Sequence, residues 1–66
     1  MKLTIELDCS NAAFGEGDHE AGQEIARILR EAAGRLETYG AHGLRLRDVN
    51  GNIVGGLDIE PRQPAA

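Results

Sequence analysis

LRLRDVNGNIVGGLDIE, residues 44–60, decides the fold of this chain. Apolar and polar residues alternate on both sides of Val49-Asn50-Gly51-Asn52, the mark of strands with one buried face. Asn-Gly between two such segments signals a hairpin, because both residues accept the positive φ of a type I′ turn. With Asn50 and Gly51 as the two loop residues, Leu44 faces Leu57 and Leu46 faces Gly55. Leu44, Leu46, Ile53, Leu57 and Ile59 then share the core face. Arg45, Arg47, Val54, Asp58 and Glu60 share the outer face, with Arg45 and Arg47 near enough to pair with Asp58 and Glu60 across strands. Pro61 and Pro64 end the second strand, and residues 61–66 read as a flexible C-terminal tail.

Upstream of the hairpin, residues 2–9 also alternate. Leu3, Ile5, Leu7 and Cys9 point one way and Lys2, Thr4, Glu6 and Asp8 the other, which reads as a half-buried strand with a buried thiol at its end. Ser10 to Gly17 reads as a loop pinned by Phe14. Asp18 is the candidate N-cap of a helix, with Glu20 favourable in the first turn. Ala21, Ile25, Ile28, Leu29, Ala32, Leu36 and Tyr39 recur at spacings of three and four and form the stripe of a helix lying on a sheet. Glu31 and Arg35 are spaced as an i,i+4 ion pair. Gly40 is a natural stop. Gly22, beside the stripe, fits a close approach of helix to sheet.

The resulting architecture is α+β: a single β-α-β-β domain over residues 1–60, with one helix covering one face of a three-stranded, largely antiparallel sheet. Either the third strand is central and antiparallel to both others, or a right-handed crossover sets the first strand parallel beside the second; the first order is the preferred one.

Sixty-six residues make one domain with a thin core. Cys9 is the only cysteine, so no disulfide forms within the chain, and a lone thiol suits a reducing compartment. The opening MKLTIELD lacks the apolar stretch of a signal peptide, and no apolar run approaches the ~20 residues of a membrane span. These features read as a cytoplasmic protein without a membrane partner.

Charge is distributed unevenly. Glu6, Asp8, Glu16, Asp18, Glu20 and Glu24 fall between Leu3 and Ala26 with no lysine or arginine among them. From Arg27 onward six arginines stand against five acids, so the first segment carries most of the net charge of −4. A negative field at one end of so small a molecule repels nucleic acid and attracts basic surfaces. Direct nucleic-acid binding is disfavoured, since a basic footprint is expected of it.

Motifs for catalysis or ligand binding fail on inspection. Gly15-Glu16-Gly17 lies where a phosphate loop would, but Glu20 occupies the third glycine position and the neighbouring acids repel phosphate. Ala12 breaks the alternating oxygen ligands that a calcium loop starting at Asp8 would need. Gln23 stands where a zincin helix beginning at His19 would place its second histidine. No spacing of Cys9, His19 and His42 matches a zinc pattern. The acids lack a partnered nucleophile and base, and so small a fold has little room for a pocket of ~300 Å³. The expectation is a non-enzyme with no cofactor and no metal.

KLTIELDCSNAAF, a helix of the type AxILREAAxxLE, and LRDxNGNxVG together resemble a class of short proteins encoded by prophages and phages; the similarity spans most of residues 2–59. Such accessory proteins include anti-CRISPR proteins that occupy nucleic-acid-binding surfaces. What the resemblance implies is a non-enzymatic inhibitor that binds a host nucleic-acid-processing complex, a CRISPR effector foremost, and competes with nucleic acid. Asp8, Glu16, Asp18, Glu20 and Glu24 are its candidate partner-binding residues. Carboxylates on a rigid scaffold can occupy the lysines and arginines that would otherwise bind phosphates. The alternative is a self-associating structural or regulatory module, a homodimer paired through edge strands.

Overall fold

The structure is a computed structural model that describes residues 1–60. The expected tail at 61–66 lies outside the described residues. Strand β1 (Lys2–Leu7) leads through a one-turn 3₁₀ helix (Ala12–Phe14) into helix α1 (Asp18–Tyr39), followed by β2 (Leu44–Arg47) and β3 (Ile53–Glu60). The sheet order is β1-β3-β2, with both pairings antiparallel. The last strand is therefore central, and the parallel crossover is excluded. The chain is an α+β fold with one helix on one face of a three-stranded sheet.

The hairpin keeps the expected outer register, Leu44 opposite Leu57 and Leu46 opposite Gly55, but reaches it by a different route. Gly51 has φ +86° and, among the described residues, no non-glycine residue has positive φ, so Asn50 cannot occupy a type I′ turn. Instead the Gly51 N–H donates to the Asp48 carbonyl at 3.0 Å and the Asp48 N–H to the Asn52 carbonyl at 2.9 Å. This is a three-residue loop, Val49-Asn50-Gly51, with glycine in the left-handed position. The longer loop sets Arg47 opposite Ile53, and a bulge between Leu46 and Arg47 restores the register beyond it. One extra residue on β3 exchanges the two faces locally. Val54 is consequently buried and Ile53 half-exposed, the reverse of the alternation read from the sequence. The register also places Arg45 opposite Gly56, so neither Arg45 nor Arg47 sits directly across from Asp58 or Glu60.

Gly55, at this bulge, approaches β1 so closely that a Cβ there would fall on the Glu6 carbonyl. No side chain fits between the two backbones.

The core is Phe14, Ile28, Ala32, Leu46 and Val54, with Leu7, Ala13, Ala21, Ile25 and Leu44 packed around it. Phe14 pins the β1–α1 loop as expected and is 1% exposed. Asn11 shapes its turn: the Asn11 side-chain oxygen accepts from the Ala13 N–H at 2.9 Å, an N-cap for the 3₁₀ helix. The N-cap of α1 is Gly17, not Asp18; Asp18 is the first helical residue and favours the helix through the N-terminal dipole. Gly40 ends the helix, its N–H donating to the Leu36 carbonyl at 2.9 Å.

Helix α1 makes its main contacts with β2 and the 3₁₀ turn rather than with β1. The far side of the sheet's apolar face is thus left uncovered. Leu3 is 48% and Ile5 37% exposed, although both share a face with buried Leu57 and Ile59. Leu29, rotated about 100° from Ile28 along the helix, and Tyr39 in the last turn are also exposed. Cys9 lies beyond the end of β1 and is exposed, contrary to its phase in the alternation. Arg27, not Arg35, pairs with Glu31. A Cβ at Gly22 or Gly34 would meet nothing within 4 Å, so Gly22 is not there for close packing.

Both helix glycines therefore carry only the propensity cost. Gly22→Ala and Gly34→Ala should each stabilise the protein by about 0.8–1 kcal/mol, whereas Gly55→Ala should lower its melting temperature; thermal denaturation followed by circular dichroism checks all three.

Candidate functional site

Two buried carboxylates organise the end of the molecule where loop, helix and hairpin meet. Asp48 is 4% exposed at the entry to the hairpin loop. One of its oxygens accepts from the Asn50 and Asn52 backbone N–H groups, both at 2.9 Å. The other accepts from the side-chain amides of Asn11 at 2.9 Å and Asn52 at 3.2 Å. Four donors satisfy a buried carboxylate that would otherwise be costly. Burial raises the Asp48 pKa, but the hydrogen bonds from Asn52, Asn11 and Asn50 outweigh it, and the carboxyl sits below the usual aspartate range.

Glu24, 8% exposed on α1, is the second. Arg27 donates to it through Nε at 2.7 Å and Nη2 at 3.2 Å, and the Val49 N–H donates at 2.8 Å. The Arg27 hydrogen bonds are the largest influence holding Glu24 below the usual glutamate range; burial and the nearby Asp48 charge oppose them, and the Val49 N–H assists. Arg27 also reaches the Arg47 carbonyl at 3.2 Å, and Arg35 the Arg45 carbonyl at 3.0 Å, so arginines from the helix are bound along β2.

This geometry separates the five candidate partner-binding acids. Glu24 is a structural residue whose carboxylate is saturated inside the fold, which corrects its place among the surface contacts. Asp8, Glu16, Asp18 and Glu20 are exposed. Glu16, Asp18 and Glu20 cluster along the chain at the start of α1, where Glu20 accepts weakly from the Glu16 N–H at 3.4 Å. Asp8 stands apart at the end of β1. Ser10 holds its carboxyl below the usual range, through the hydroxyl at 2.6 Å and then the backbone N–H at 3.1 Å. None of the exposed four forms an ion pair with a lysine or arginine among the described residues; Arg27 takes Glu24 and Glu31.

Asp8 belongs to a feature that the sequence did not announce. The outer face of the sheet forms an open groove of 510 Å³ lined by Thr4, Glu6, Asp8, Gly55, Gly56 and Asp58, among others. The groove exceeds the volume expected of so small a fold, and Gly55 and Gly56 of the middle strand lie in its lining. It is shallow and acidic, and Glu6 joins Asp8 there as an exposed carboxylate. The signal was available in the sequence: Glu6 and Asp8 share a strand phase, and two adjacent glycines interrupt the partner strand. Among the described residues, no three or more His, Cys, Asp and Glu side chains are grouped to hold a metal ion, and no helix is long and apolar enough to cross a membrane.

Comparisons with protein-family models, curated proteins and solved structures yield no match to the chain.

The residues of the NAAF and DVNGN segments mostly take scaffold roles. Asn11 and Phe14 of NAAF and Asp48, Asn50 and Asn52 of DVNGN meet in one network and core. Because the folded state favours ionised Asp48 and Glu24, the stability they contribute is present above the usual carboxylate pKa of about 4 and lost as pH falls below it. Melting temperature should be level near neutral pH and drop below about pH 4. Asp48→Asn should lower it at neutral pH and weaken its acid dependence, read by thermal melts across a pH series.

Proposed function

We propose that the protein is a non-enzymatic inhibitor that docks an acidic surface onto the basic, nucleic-acid-binding surface of a host complex. The observation that carries this reading is the set of exposed carboxylates without a cationic partner among the described residues. Glu16, Asp18 and Glu20 lie at the head of α1, and Glu6 and Asp8 on the open sheet face. A folded scaffold that leaves these charges to solvent holds them ready for lysines and arginines on another protein. Binding there would displace nucleic-acid phosphates from the same cations. Rigidity supports the idea: the buried Asp48 and Glu24 networks anchor the loop and helix that carry the acids, which lowers the ordering cost of binding.

The prophage-type resemblance directs the choice of target to a CRISPR effector complex in the host cytoplasm. The reading requires no cofactor and no direct contact with nucleic acid or membrane. The sequence-level set of contacts is reduced to Asp8, Glu16, Asp18 and Glu20, with Glu24 reassigned to the scaffold and Glu6 added from the groove.

The triple variant Glu16→Lys, Asp18→Lys, Glu20→Lys tests this function and leaves the buried network intact. Wild-type protein should reduce target-DNA binding by a purified CRISPR effector in a mobility-shift assay, less so as salt rises. The triple variant should lose at least tenfold in potency, the effect of about 1.4 kcal/mol. Equal potency of the two proteins would remove the acidic-docking mechanism.

A further inference from the structure

The two edges of the sheet are treated differently. At β2 the edge is short, and arginines of the helix cover it: Arg35 and Arg27 donate to the Arg45 and Arg47 carbonyls at 3.0 and 3.2 Å. Shortness and covering are established ways to close an edge against further pairing. At β1 the edge is open among the described residues. Its six residues pair only with β3, and all but Leu7 are exposed.

The polarity of that open edge follows from the ladder. The Asp8 N–H donates to the Val54 carbonyl at 2.7 Å, continuing the β1–β3 register in which Lys2 faces Glu60, Thr4 faces Asp58 and Glu6 faces Gly56. In an antiparallel pair, hydrogen-bonded and non-hydrogen-bonded positions alternate. The even residues of β1 thus direct their N–H and C=O groups inward to β3. The N–H and C=O groups of Leu3, Ile5 and Leu7 point to the free edge.

We infer that β1 is a homodimerisation strand, pairing antiparallel with β1 of a second copy about a two-fold axis through Thr4. The sequence Lys2-Leu3-Thr4-Ile5-Glu6 is complementary to itself when reversed. Lys2 falls opposite the partner subunit's Glu6, Leu3 opposite the partner subunit's Ile5, and Thr4 opposite the partner subunit's Thr4. Opposite charges, apolar pairs and threonine pairs are all favourable when directly cross-strand. The charged pairs lie on the outer face. Leu3 and Ile5, 48% and 37% exposed because α1 stops short of them, meet their counterparts on the apolar face beside buried Leu57 and Ile59. Leu3 and Ile5 also supply the edge donors and acceptors, so side chains and backbone select the same partner. The result is a continuous six-stranded sheet with the helix-covered β2 edges outermost. The contact is small, which suits a weak dimer that forms at high micromolar concentration.

The dimer shares only Glu6 with the acidic docking surface; Glu16, Asp18 and Glu20, which test docking, lie outside β1, and the readout of the dimer is oligomeric state alone. Sedimentation equilibrium of the wild-type chain should give twice the monomer mass at high micromolar concentration. Glu6→Lys, which puts lysine opposite the partner subunit's Lys2, should weaken the dimer several-fold. The charge-swapped Lys2→Glu, Glu6→Lys chain should restore it. In a Cys9→Ser background, Thr4→Cys should form an intermolecular disulfide on oxidation. Residue 4 would occupy a non-hydrogen-bonded pair with Cα atoms about 4.5 Å apart, within disulfide reach. A wild-type chain that remains monomeric up to millimolar concentration overturns the proposal. So does a dimer that is indifferent to Glu6→Lys and does not cross-link through position 4.

Discussion

The Asp48 carboxylate ties the β1–α1 loop to the hairpin loop. Asn11 comes to it from the β1–α1 loop, 37 positions away in sequence, and Asn50 and Asn52 from the hairpin loop that Asp48 itself opens. A buried carboxylate must be fully supplied with donors or it destabilises the fold. That requirement dictates the shape of the hairpin turn, because two backbone N–H groups have to converge on one oxygen. It also fixes the loop that delivers Phe14 into the core. Glu24 repeats the device from the helix side by accepting the Val49 N–H, so the hairpin loop is held from both flanks.

Several other features follow from this anchored end. The helix is fixed where Glu24, Arg27 and Ile28 meet the loop and β2, and from there it runs along the β2 side of the sheet. Its arginines bind β2 carbonyls, while Leu3 and Ile5 at the opposite edge remain exposed. The asymmetry of the molecule, one closed edge and one open, has a single origin in the placement of the helix. The acids divide in the same way: Glu24 is consumed by the anchor, and Glu16, Asp18 and Glu20 are displayed by the helix turn that the anchor steadies.

The fold class was legible because it rests on local periodicities. The period of two in residues 2–7 and 44–60, the stripe through Ile28 and Ala32, and the stop at Gly40 each correspond to an observed element. The antiparallel order with a central third strand also agrees with the preferred reading. Detail failed where one residue changes a phase. The three-residue loop and its compensating bulge exchange Ile53 and Val54 between faces, and Cys9 leaves the strand before its phase can bury it. The candidate site was half legible. The cluster of negative charge is a property of composition and is exposed as expected, but the burial of Glu24 depends on a guanidinium three residues away and a backbone N–H twenty-five residues away.

The sequence by itself determined the number and type of elements, the pairing of Leu44 with Leu57, the position of Phe14 inside, and the concentration of acids before Arg27. These depend on periodicity, turn residues and composition, which act between near neighbours. Tertiary structure decided which carboxylates are structural and which face solvent, which sheet edge is closed, and which side of the apolar face the helix leaves bare. Those outcomes turn on where donors from distant segments converge, and a buried charge takes its role from the groups that surround it in space.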